Sequence, residues 1–250
     1  MGQKFNLDYF RAGPYKNAKT AGFIRYFGKY YWARKFYATI IDRMTPKGGE
    51  ILEIGCGFGD LLVFLEDKYK TTGVDISKEA IDQARKRLVK TKLQILQAEK
   101  IDSLGKNQFD TAIACHILEH LKNPEKVINK INYVLKTGGW AFFVIPNPES
   151  LGKKLKGDRW IGYQDKSHVS LYKPSKWIDL LNKNGFPRVK TFGDGLWDSP
   201  YLPVIPTLLQ RLIFGFPAII QTFFTIPFIP VNLGESIILF AKKDNYRGEF

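Results

Sequence analysis

Apolar and polar positions alternate with two different periods along the middle of the chain. Short continuous apolar runs are typical of buried strands. Between them lie stretches whose apolar residues are three and four positions apart, a spacing that is typical of helices. The predicted strands cover residues 51–54, 71–74, 93–96, 109–115, 140–145, 188–192 and 236–242. The predicted helices cover residues 58–67, 78–90, 124–135 and 173–184. This alternation predicts the α/β class, with a parallel sheet that carries helices on both faces.

An N-terminal segment does not fit this alternation. Residues 20–44 mix aromatic with basic side chains, and their apolar positions follow three- and four-residue steps, which predicts one or two amphipathic helices. These helices either pack on the main domain or form a lid at a membrane or substrate. The turn-forming residues Pro46, Gly48 and Gly49 then separate an N-terminal helical extension, residues 1–47, from the main domain, residues 48–250.

Residues 197–234 form a second irregular segment, without any charged residue over 212–234. A membrane span needs about 20 apolar residues, so the length alone would permit one. Pro217, Pro227 and Pro230 interrupt the segment, and proline inside a helix costs ~3 kcal/mol or more. A single span would also place the last two strands on opposite sides of a bilayer. We therefore expect a hydrophobic insertion that caps the functional site and contacts a membrane or a partner subunit, with internal packing as the alternative.

The composition is that of a globular protein. Hydrophobic residues make up 44% of the 250 residues and charged residues 25%, which excludes a disordered chain, a collagen and a polytopic membrane protein. The two cysteines, Cys56 and Cys115, are too few for a disulfide scaffold and favour a reducing, cytoplasmic setting. The formal charge of +14 comes from the segments that flank a balanced middle. Such a surface attracts polyanions such as nucleic acid or anionic lipid headgroups, or it serves solubility alone.

The most informative stretch is the first predicted strand and the loop after it. The strand runs directly into Gly55, Gly57 and Gly59, which let the backbone turn tightly and approach a ligand. Asp75 ends the second predicted strand, where an acid can accept hydrogen bonds from ribose hydroxyls. In nicotinamide enzymes the third glycine lies one residue later than here, at the position that Asp60 occupies. A pyrophosphate would also be poorly bound beside the acids Glu53 and Asp60. A ligand with a nucleoside, a cationic centre and one carboxylate fits this combination of a glycine loop and nearby acids better.

Four motifs in this order resemble those of the class I S-adenosylmethionine-dependent methyltransferases. Leu-Glu-Ile-Gly-Cys-Gly-Phe-Gly at 52–59 is similar to their first motif, and Gly-Val-Asp-Ile-Ser at 73–77 to their second. The run from Phe109 to Leu121 is similar to the fourth-strand motif of the subgroup related to quinone-biosynthesis methyltransferases, and 135–139 to the turn before the fifth strand. The resemblance is strong over residues 48–146. It implies a Rossmann-like, seven-stranded, mostly parallel sheet and S-adenosylmethionine as the cofactor.

The resemblance also implies which residues bind the cofactor. Its methionine half would lie on the glycine loop, its ribose on the acid of the second strand, and its adenine against the residues that follow the second and third strands. The residues carried over in this way are Glu53, Gly55, Cys56, Gly57, Gly59, Asp75, Ile76, Gln97, Ala98, Glu99, Cys115 and His116. Gln97 departs from the acid that the family often has there. We expect Cys56 and Cys115 to be small residues that line the core, without a thiol reaction.

The three histidines of the chain, His116, His120 and His168, are the candidate catalytic residues. Methyl transfer to a hydroxyl acceptor needs removal of a proton, and histidine is the usual base near neutral pH. His168 is the first candidate, because its loop follows the fifth strand and overhangs the ligand side of a parallel sheet. As alternatives, this histidine is only tied to Asp165 or to backbone, and the His-x-x-Glu-His run at 116–120 binds a divalent ion. We expect no metal.

Trp160 and Tyr163, in the loop before His168, either contact the acceptor or only anchor the loop. We predict a methyltransferase that acts on a small-molecule or lipid-like acceptor, in the cytoplasm and at an anionic membrane surface. One alternative is an RNA or protein methyltransferase that docks through its basic flanks, although the hydrophobic insertion argues against a polar nucleic-acid surface. The other is a protein that binds the cofactor without catalysis. The acceptor itself and the oligomeric state are not evident from the residues.

Overall fold

The computed structural model describes residues 29–244. In chain order, the helices and strands are α1 (Lys29–Met44), β1 (Glu50–Ile54), β2 (Lys70–Asp75), α2 (Lys78–Arg85), β3 (Lys92–Ile95), β4 (Phe109–Cys115), α3 (Pro124–Val134), β5 (Leu135–Pro146), α4 (Leu151–Lys156), α5 (Ile161–Gln164), α6 (Pro174–Lys183), β6 (Arg188–Gly193), α7 (Thr207–Phe224) and β7 (Ser236–Lys242). Short 3₁₀ turns lie at Leu62–Phe64, Ala98–Leu104, Leu118–His120, Gly157–Arg159 and Val231–Leu233.

The seven strands form one sheet in the order β3-β2-β1-β4-β5-β7-β6. Strands β1 to β5 are parallel, and β7 runs antiparallel to both of its neighbours. The prediction of a seven-stranded, mostly parallel, Rossmann-like sheet is confirmed. The strand order reverses between β1 and β4, which leaves a crevice at the carboxyl ends of these strands.

Each central strand is buried on both of its faces because successive side chains point to opposite sides of the sheet. In β1, Leu52 and Ile54 belong to one core, while Ile51 belongs to the other. The first core contains Ile131 of α3 and Trp177 of α6. The two layers of helices therefore hold the carboxyl ends of the parallel strands in fixed positions.

Helix α1 packs on the second face of the sheet. Its residues Phe36 and Ile41 are buried in one cluster with Phe142 of β5 and Ile238 of β7. The part of the predicted N-terminal helices that precedes residue 29 lies outside the described residues. The division of the chain at residues 47 and 48 stays a prediction.

The helix predicted over residues 58–67 is wrong. This segment forms turns and one 3₁₀ turn, in which Leu65 donates its N–H to the Leu62 carbonyl oxygen at 2.9 Å and Val63 donates to Gly59 at 3.1 Å. The mixed three- and four-residue hydrogen bonds prevent a regular helix. The apolar spacing nevertheless identified the inward side, because Leu61, Leu62 and Leu65 are buried.

Two helix ends also differ from the prediction. Helix α2 ends at Arg85 rather than residue 90. Beyond it, Lys90 and Thr91 donate their N–H groups to Glu66 at 3.0 and 3.2 Å and not to the carbonyl groups of a preceding helical turn. Helix α3 ends at Val134, and the next residue, Leu135, already belongs to β5. The predicted turn at 137–139 therefore lies inside the strand.

The insertion between β6 and β7 contains the 18-residue helix α7. Pro217 lies inside this helix and does not end it, contrary to the expected interruption. Among the described residues, α7 is long and apolar enough to cross a membrane by length and composition, and 22% of it is buried. The short helices α4 and α5 were not predicted, because neither has enough residues for a periodic pattern.

Candidate active site

A cavity of about 810 Å³ opens at the carboxyl ends of the parallel strands, beside the reversal of strand order. Open parallel sheets bind ligands at this place because the loops of adjacent strands diverge there. All of the predicted site residues except two line it, namely Glu53, Gly55, Cys56, Gly57, Asp75, Ile76, Ala98, Glu99, Cys115, His116, His120 and His168.

The two exceptions are Gly59 and Gln97, which the structure does not place on the cavity wall. Gly59 faces the end of helix α2 and the residues after it, where a Cβ atom would lie 2.5 Å from Leu88 Cδ1 and 3.7 Å from Ala84 Cβ. Its small size is therefore a packing requirement. Gln97 precedes the 3₁₀ turn Ala98–Leu104. The assignment of both residues to cofactor binding stays a prediction, and Ala98 and Glu99 form the part of the wall next to Gln97.

The glycine loop is fixed to the end of β2 by backbone hydrogen bonds. The N–H groups of Gly55 and Cys56 both donate to the Val74 carbonyl oxygen, at 2.7 and 3.0 Å. Gly55 has φ +71°, and a Cβ atom there would lie 1.9 Å from Ile117 Cδ1. Only glycine meets both conditions, since it tolerates the left-handed region and leaves room for that side chain.

Asp75 connects the glycine loop to the start of α2. Its carboxylate accepts the Gly57 N–H at 2.8 Å and the Ser77 N–H at 2.9 Å. The side chain is buried, and burial raises its pKa above the ordinary value. Each carboxylate oxygen has a further acceptor position. The acid can therefore accept hydroxyl groups of a ribose that lies in the cavity.

Glu53 is a buried acid with an unsatisfied oxygen. Its Oε2 atom has no hydrogen-bond partner within residues 29–244, although the side chain borders the cavity. Burial raises the pKa of Glu53 to about 8; the positive charge of Arg34 opposes this effect, and the negative charges of Asp60 and Asp75 add to it. A buried carboxylate without a partner is rare, because its desolvation is not offset. A cationic ligand in the cavity would satisfy it.

A second group of titratable side chains lies at another part of the cavity wall. The group consists of Glu119, His120 and His168. Each offers one nitrogen or oxygen atom that could bind a metal ion, and these three atoms lie within 4.8 Å of one another. Glu119 is fully buried, and neither of its carboxylate oxygens has a hydrogen-bond partner among the described residues. His116 Nδ1 lies 3.3 Å from Glu119 Oε1. This group could hold a cation or take up a proton.

Hydrogen bonds assign the tautomers of two of these histidines. His168 Nδ1 lies 2.7 Å from the Gly162 carbonyl oxygen, so Nδ1 carries the proton and Nε2 is the basic nitrogen. Ser167 donates its hydroxyl to Asp165, so its oxygen accepts from His120 Nδ1 at 2.8 Å. Burial lowers the pKa of His120. This histidine is therefore neutral near pH 7.

Trp160 and Tyr163 anchor the loop that carries His168. Trp160 is fully buried and donates its indole N–H to Glu235 Oε2 at 2.6 Å. Tyr163 packs edge-on against Trp160, with ring centroids 5.3 Å apart, and is 44% exposed. Neither residue lines the cavity. The structure therefore favours the anchoring role over acceptor contact.

Comparison with known proteins identifies the family. The model of a family described as a methyltransferase domain matches residues 30–191, which is more than half of the chain. The chain belongs to the class I S-adenosylmethionine-dependent methyltransferases. Solved members share its fold: a methyltransferase of Thermotoga maritima superposes with a TM-score of 0.61 at 20% identity, covering 89% of this chain and 96% of that one. The plantazolicin methyltransferase in complex with SAH gives 0.62 at 18%, covering 95% and 93%.

Curated methyltransferases with similar sequences include ubiquinone biosynthesis O-methyltransferases. That of Shewanella halifaxensis is 30% identical over 149 residues, and that of Coxiella burnetii is 35% identical over 109. The alignments cover 54% and 42% of this chain, and 62% and 46% of the relatives. The chain thus spans about half of the length of the curated relatives it matches. The resemblance to quinone-biosynthesis enzymes is confirmed.

The methyltransferase cavity fits the cofactor of this family, S-adenosylmethionine. The ligand combines a ribose with an ammonium group and a sulfonium centre. Asp75 offers acceptors for the ribose hydroxyls, and the unsatisfied Glu53 offers one for the ammonium group. Ile76 and Leu96 supply apolar wall for an adenine ring.

The two thiols of the methyltransferase are buried and unreactive. Burial raises the pKa of Cys115 to about 12 and that of Cys56 well above its ordinary value. A thiol is nucleophilic only as the thiolate, so neither residue attacks a substrate near neutral pH. The expectation that both are small residues lining the core agrees with their burial.

Besides Asp60, four acidic residues that line the cavity were not predicted as site residues, namely Glu119, Asp194, Asp198 and Glu235. Glu119 was seen only as part of a metal-binding alternative. Asp194 and Glu235 line the cavity from the two ends of the insertion, and burial raises the pKa of Asp194 to about 7. Glu235 accepts hydrogen bonds from both Trp160 and Tyr201, at 2.6 Å each. The signal available for Glu235 was that it directly follows the uncharged segment 212–234.

Proposed function

We propose that this methyltransferase transfers the methyl group of S-adenosylmethionine to a hydroxyl group of a small, lipid-like molecule. One observation carries the proposal: the acids that fit the cofactor and the group formed by Glu119, His120 and His168 line the same cavity. A cofactor-binding protein without catalysis would have no use for a group of two histidines and a buried acid beside the cofactor site.

The class of acceptor is supported by relatives and by the cavity wall. The curated relatives are named as O-methyltransferases of ubiquinone biosynthesis. Around His168, the wall of this cavity includes the apolar side chains of Ile161, Val169 and Trp197. An acceptor with an apolar body and a hydroxyl group matches this arrangement.

S-adenosylmethionine supplies an activated methyl group for an in-line displacement. The residues of this chain mainly position the reactants, and good positioning can supply effective molarities of about 10⁵–10⁸ M. Asp75 and Glu53 would hold the two ends of the cofactor. His168 would take the acceptor hydroxyl proton on Nε2, because its Nδ1 proton is bound to Gly162. Asp165 Oδ2, 3.8 Å from Nε2, would stabilise the resulting imidazolium.

The proposal includes a place for the reaction, the cytoplasmic surface of an anionic membrane. The formal charge of +14 supports attraction to anionic headgroups. The free, buried cysteines are compatible with a reducing compartment. The exposed apolar residues of α7 supply a surface for apolar contact.

The test is a transfer assay with radiolabelled cofactor and phenols or catechols that carry an apolar tail. The wild-type protein is expected to label such acceptors. His168→Ala is expected to lower turnover by about 10²–10⁴-fold, the usual contribution of a general base, without changing the affinity for SAH. Lys166→Ala, an exposed change in the same loop, is the control and should leave turnover unchanged. Equal turnover of His168→Ala and wild type would remove His168 as the base.

A further inference from the structure

Helix α7 exposes an unusually large number of apolar side chains. Phe223 is 76% exposed, Leu208 71%, and both Leu212 and Phe216 59%. The exposed apolar residues of the helix and the loop after it are Leu208, Leu209, Leu212, Ile213, Phe216, Ile219, Phe223, Phe224, Ile226 and Phe228, which we call the α7 surface. An apolar surface of this extent marks a site of interaction.

The side of α7 that faces the protein is polar or small. Its buried residues are Gln210, Gly215, Ala218 and Gln221. A helix that packs on a protein in water buries its large apolar residues and exposes its polar ones. In α7 this pattern is reversed. The reversed pattern indicates that the outer face of the helix lies in an apolar environment.

The two buried glutamines satisfy the backbone of the irregular segments on either side of the helix. Gln210 accepts from the Tyr201 and Leu202 N–H groups, at 2.6 and 3.0 Å, and donates to the Leu202 and Ile205 carbonyl oxygens. Gln221 accepts from the Phe228 and Ile229 N–H groups, at 2.9 and 3.0 Å. Backbone groups that contact hydrocarbon must find partners within the protein, since water does not reach them.

The charges around the α7 surface favour an anionic lipid surface. Residues 199–234 contain one charged side chain, Arg211, and no acid. At the other end of the helix, Arg43 of α1 donates to the carbonyl and hydroxyl oxygens of Thr225, at 2.6 Å each. Cations next to an apolar face are typical of helices that lie in the membrane interface.

We infer that the α7 surface inserts into one leaflet of an anionic lipid bilayer. The helix lies along the membrane and does not cross it, because its inner face is held to the protein near both ends by Gln210 and Gln221. The inference rests on the proposed function, in which a lipid-like acceptor is methylated at a membrane. Asp194 and Glu235, at the ends of the insertion, line the cavity, so insertion would bring the cavity to the lipid surface.

The test is flotation of the full chain with vesicles of phosphatidylcholine, with and without phosphatidylglycerol, at low and high salt. Wild type is expected to bind the anionic vesicles and to stay bound at high salt, since apolar insertion is not screened. The double variant Leu212→Ser/Phe216→Ser should lower the partition coefficient by at least about tenfold, because it lacks two large apolar side chains whose transfer from water into the bilayer favours binding. Val89→Ser, at a site 91% exposed elsewhere on the molecule, is the matched control.

Equal flotation of wild type and the double variant would overturn the inference. The inference would also be overturned if the wild-type protein did not bind vesicles. This holds whether the protein is a monomer or forms a dimer in solution that the double variant disrupts. Unfolding temperatures and SAH affinities of all three proteins show whether the variants keep their fold. These measurements also distinguish the two proposals. If wild type does not bind SAH, the proposed function is contradicted. If wild type binds SAH but does not float with vesicles, only the membrane insertion of the α7 surface is contradicted.

Discussion

At the scale of single residues, two buried acids distinguish the cavity from the rest of the core. Glu53 and Glu119 are nearly or fully buried, and each has carboxylate oxygens without hydrogen-bond partners among the described residues. A protein optimised for stability alone would satisfy or remove such oxygens, because a buried polar atom without a hydrogen bond is costly. Their presence at one cavity is a mark of ligand binding.

The buried acid Glu53 predicts a specific dependence of stability on pH. Its pKa in the folded protein is about 8, above the ordinary value of 4.5, so the folded state binds its proton more tightly than the unfolded state. The corresponding stability is complete below the unfolded pKa and is lost as the pH rises through the folded one. We expect the unfolding temperature to fall from about pH 5 to about pH 9 more steeply in wild type than in Glu53→Gln.

This comparison needs a control, because Asp194 has a raised pKa as well and adds a similar slope to both proteins. Glu125→Gln, an exposed change on α3, should keep the wild-type slope. Parallel curves for wild type and Glu53→Gln would show that Glu53 is ionised in the folded protein.

At the scale of elements, the site depends on loops that the sheet holds in place. The loop after β1 is bound to the Val74 carbonyl oxygen of β2. The 3₁₀ turn Leu118–His120 is bound to the loop of His168, because Val169 and Ser170 donate to the Glu119 carbonyl oxygen at 2.9 and 3.0 Å. Positions of the ligand-binding side chains thus follow from the strand order.

The glycine loop gives a prediction about stability. Gly55→Ala places a methyl group on the Ile117 side chain and forces alanine to adopt φ +71°. Strain and overlap together should lower the free energy of unfolding by roughly 1–3 kcal/mol or more, measured by urea denaturation. Gly48→Ala has φ +68° with nothing within 4 Å of the new atom, so it should show the smaller cost of strain alone. Equal losses would mean that contact with Ile117 is unimportant.

Sequence patterns predicted buried strands better than helix ends that depend on side-chain hydrogen bonds. Strand β4 was predicted at its observed bounds, because a continuous apolar run between turn residues has few other solutions. Asp75 was found because the acid follows such a strand and precedes a serine cap. The end of α2 was missed, since it depends on Glu66, a residue distant in sequence whose carboxylate binds the next N–H groups.

At the scale of the whole molecule, long-range packing determines the strand order and the contacts that could not be predicted from local sequence patterns. The position of β7 between β5 and β6 and its antiparallel direction follow from contacts between distant segments, which local periodicity does not encode. Asp194 and Glu235 meet at the cavity for the same reason. The insertion was recognised by its missing charges, but the reversed polarity of α7 depends on which side packs against the protein.

Ligand binding should stabilise the whole methyltransferase. A ligand that binds only the folded state adds about 2.7 kcal/mol at a concentration of 100 Kd, which corresponds to a rise of roughly 5–10 °C in unfolding temperature for a chain of this size. SAH is expected to produce this rise. ATP is expected to produce none, because its triphosphate has no ammonium group for Glu53 to accept. A similar rise with both ligands would contradict the assignment of the cavity to the methyl donor.

The central claim, that Asp75 and the glycine loop bind S-adenosylmethionine, is tested most directly by calorimetry of the cofactor product SAH. We predict one binding site in wild type and a loss of about 1–3 kcal/mol in Asp75→Ala, because a buried carboxylate that accepts the ribose hydroxyls is removed. Asp82→Ala, an exposed acid on α2 that pairs with Lys78, should bind like wild type. Unchanged affinity in Asp75→Ala, or no binding to wild type, would contradict the account.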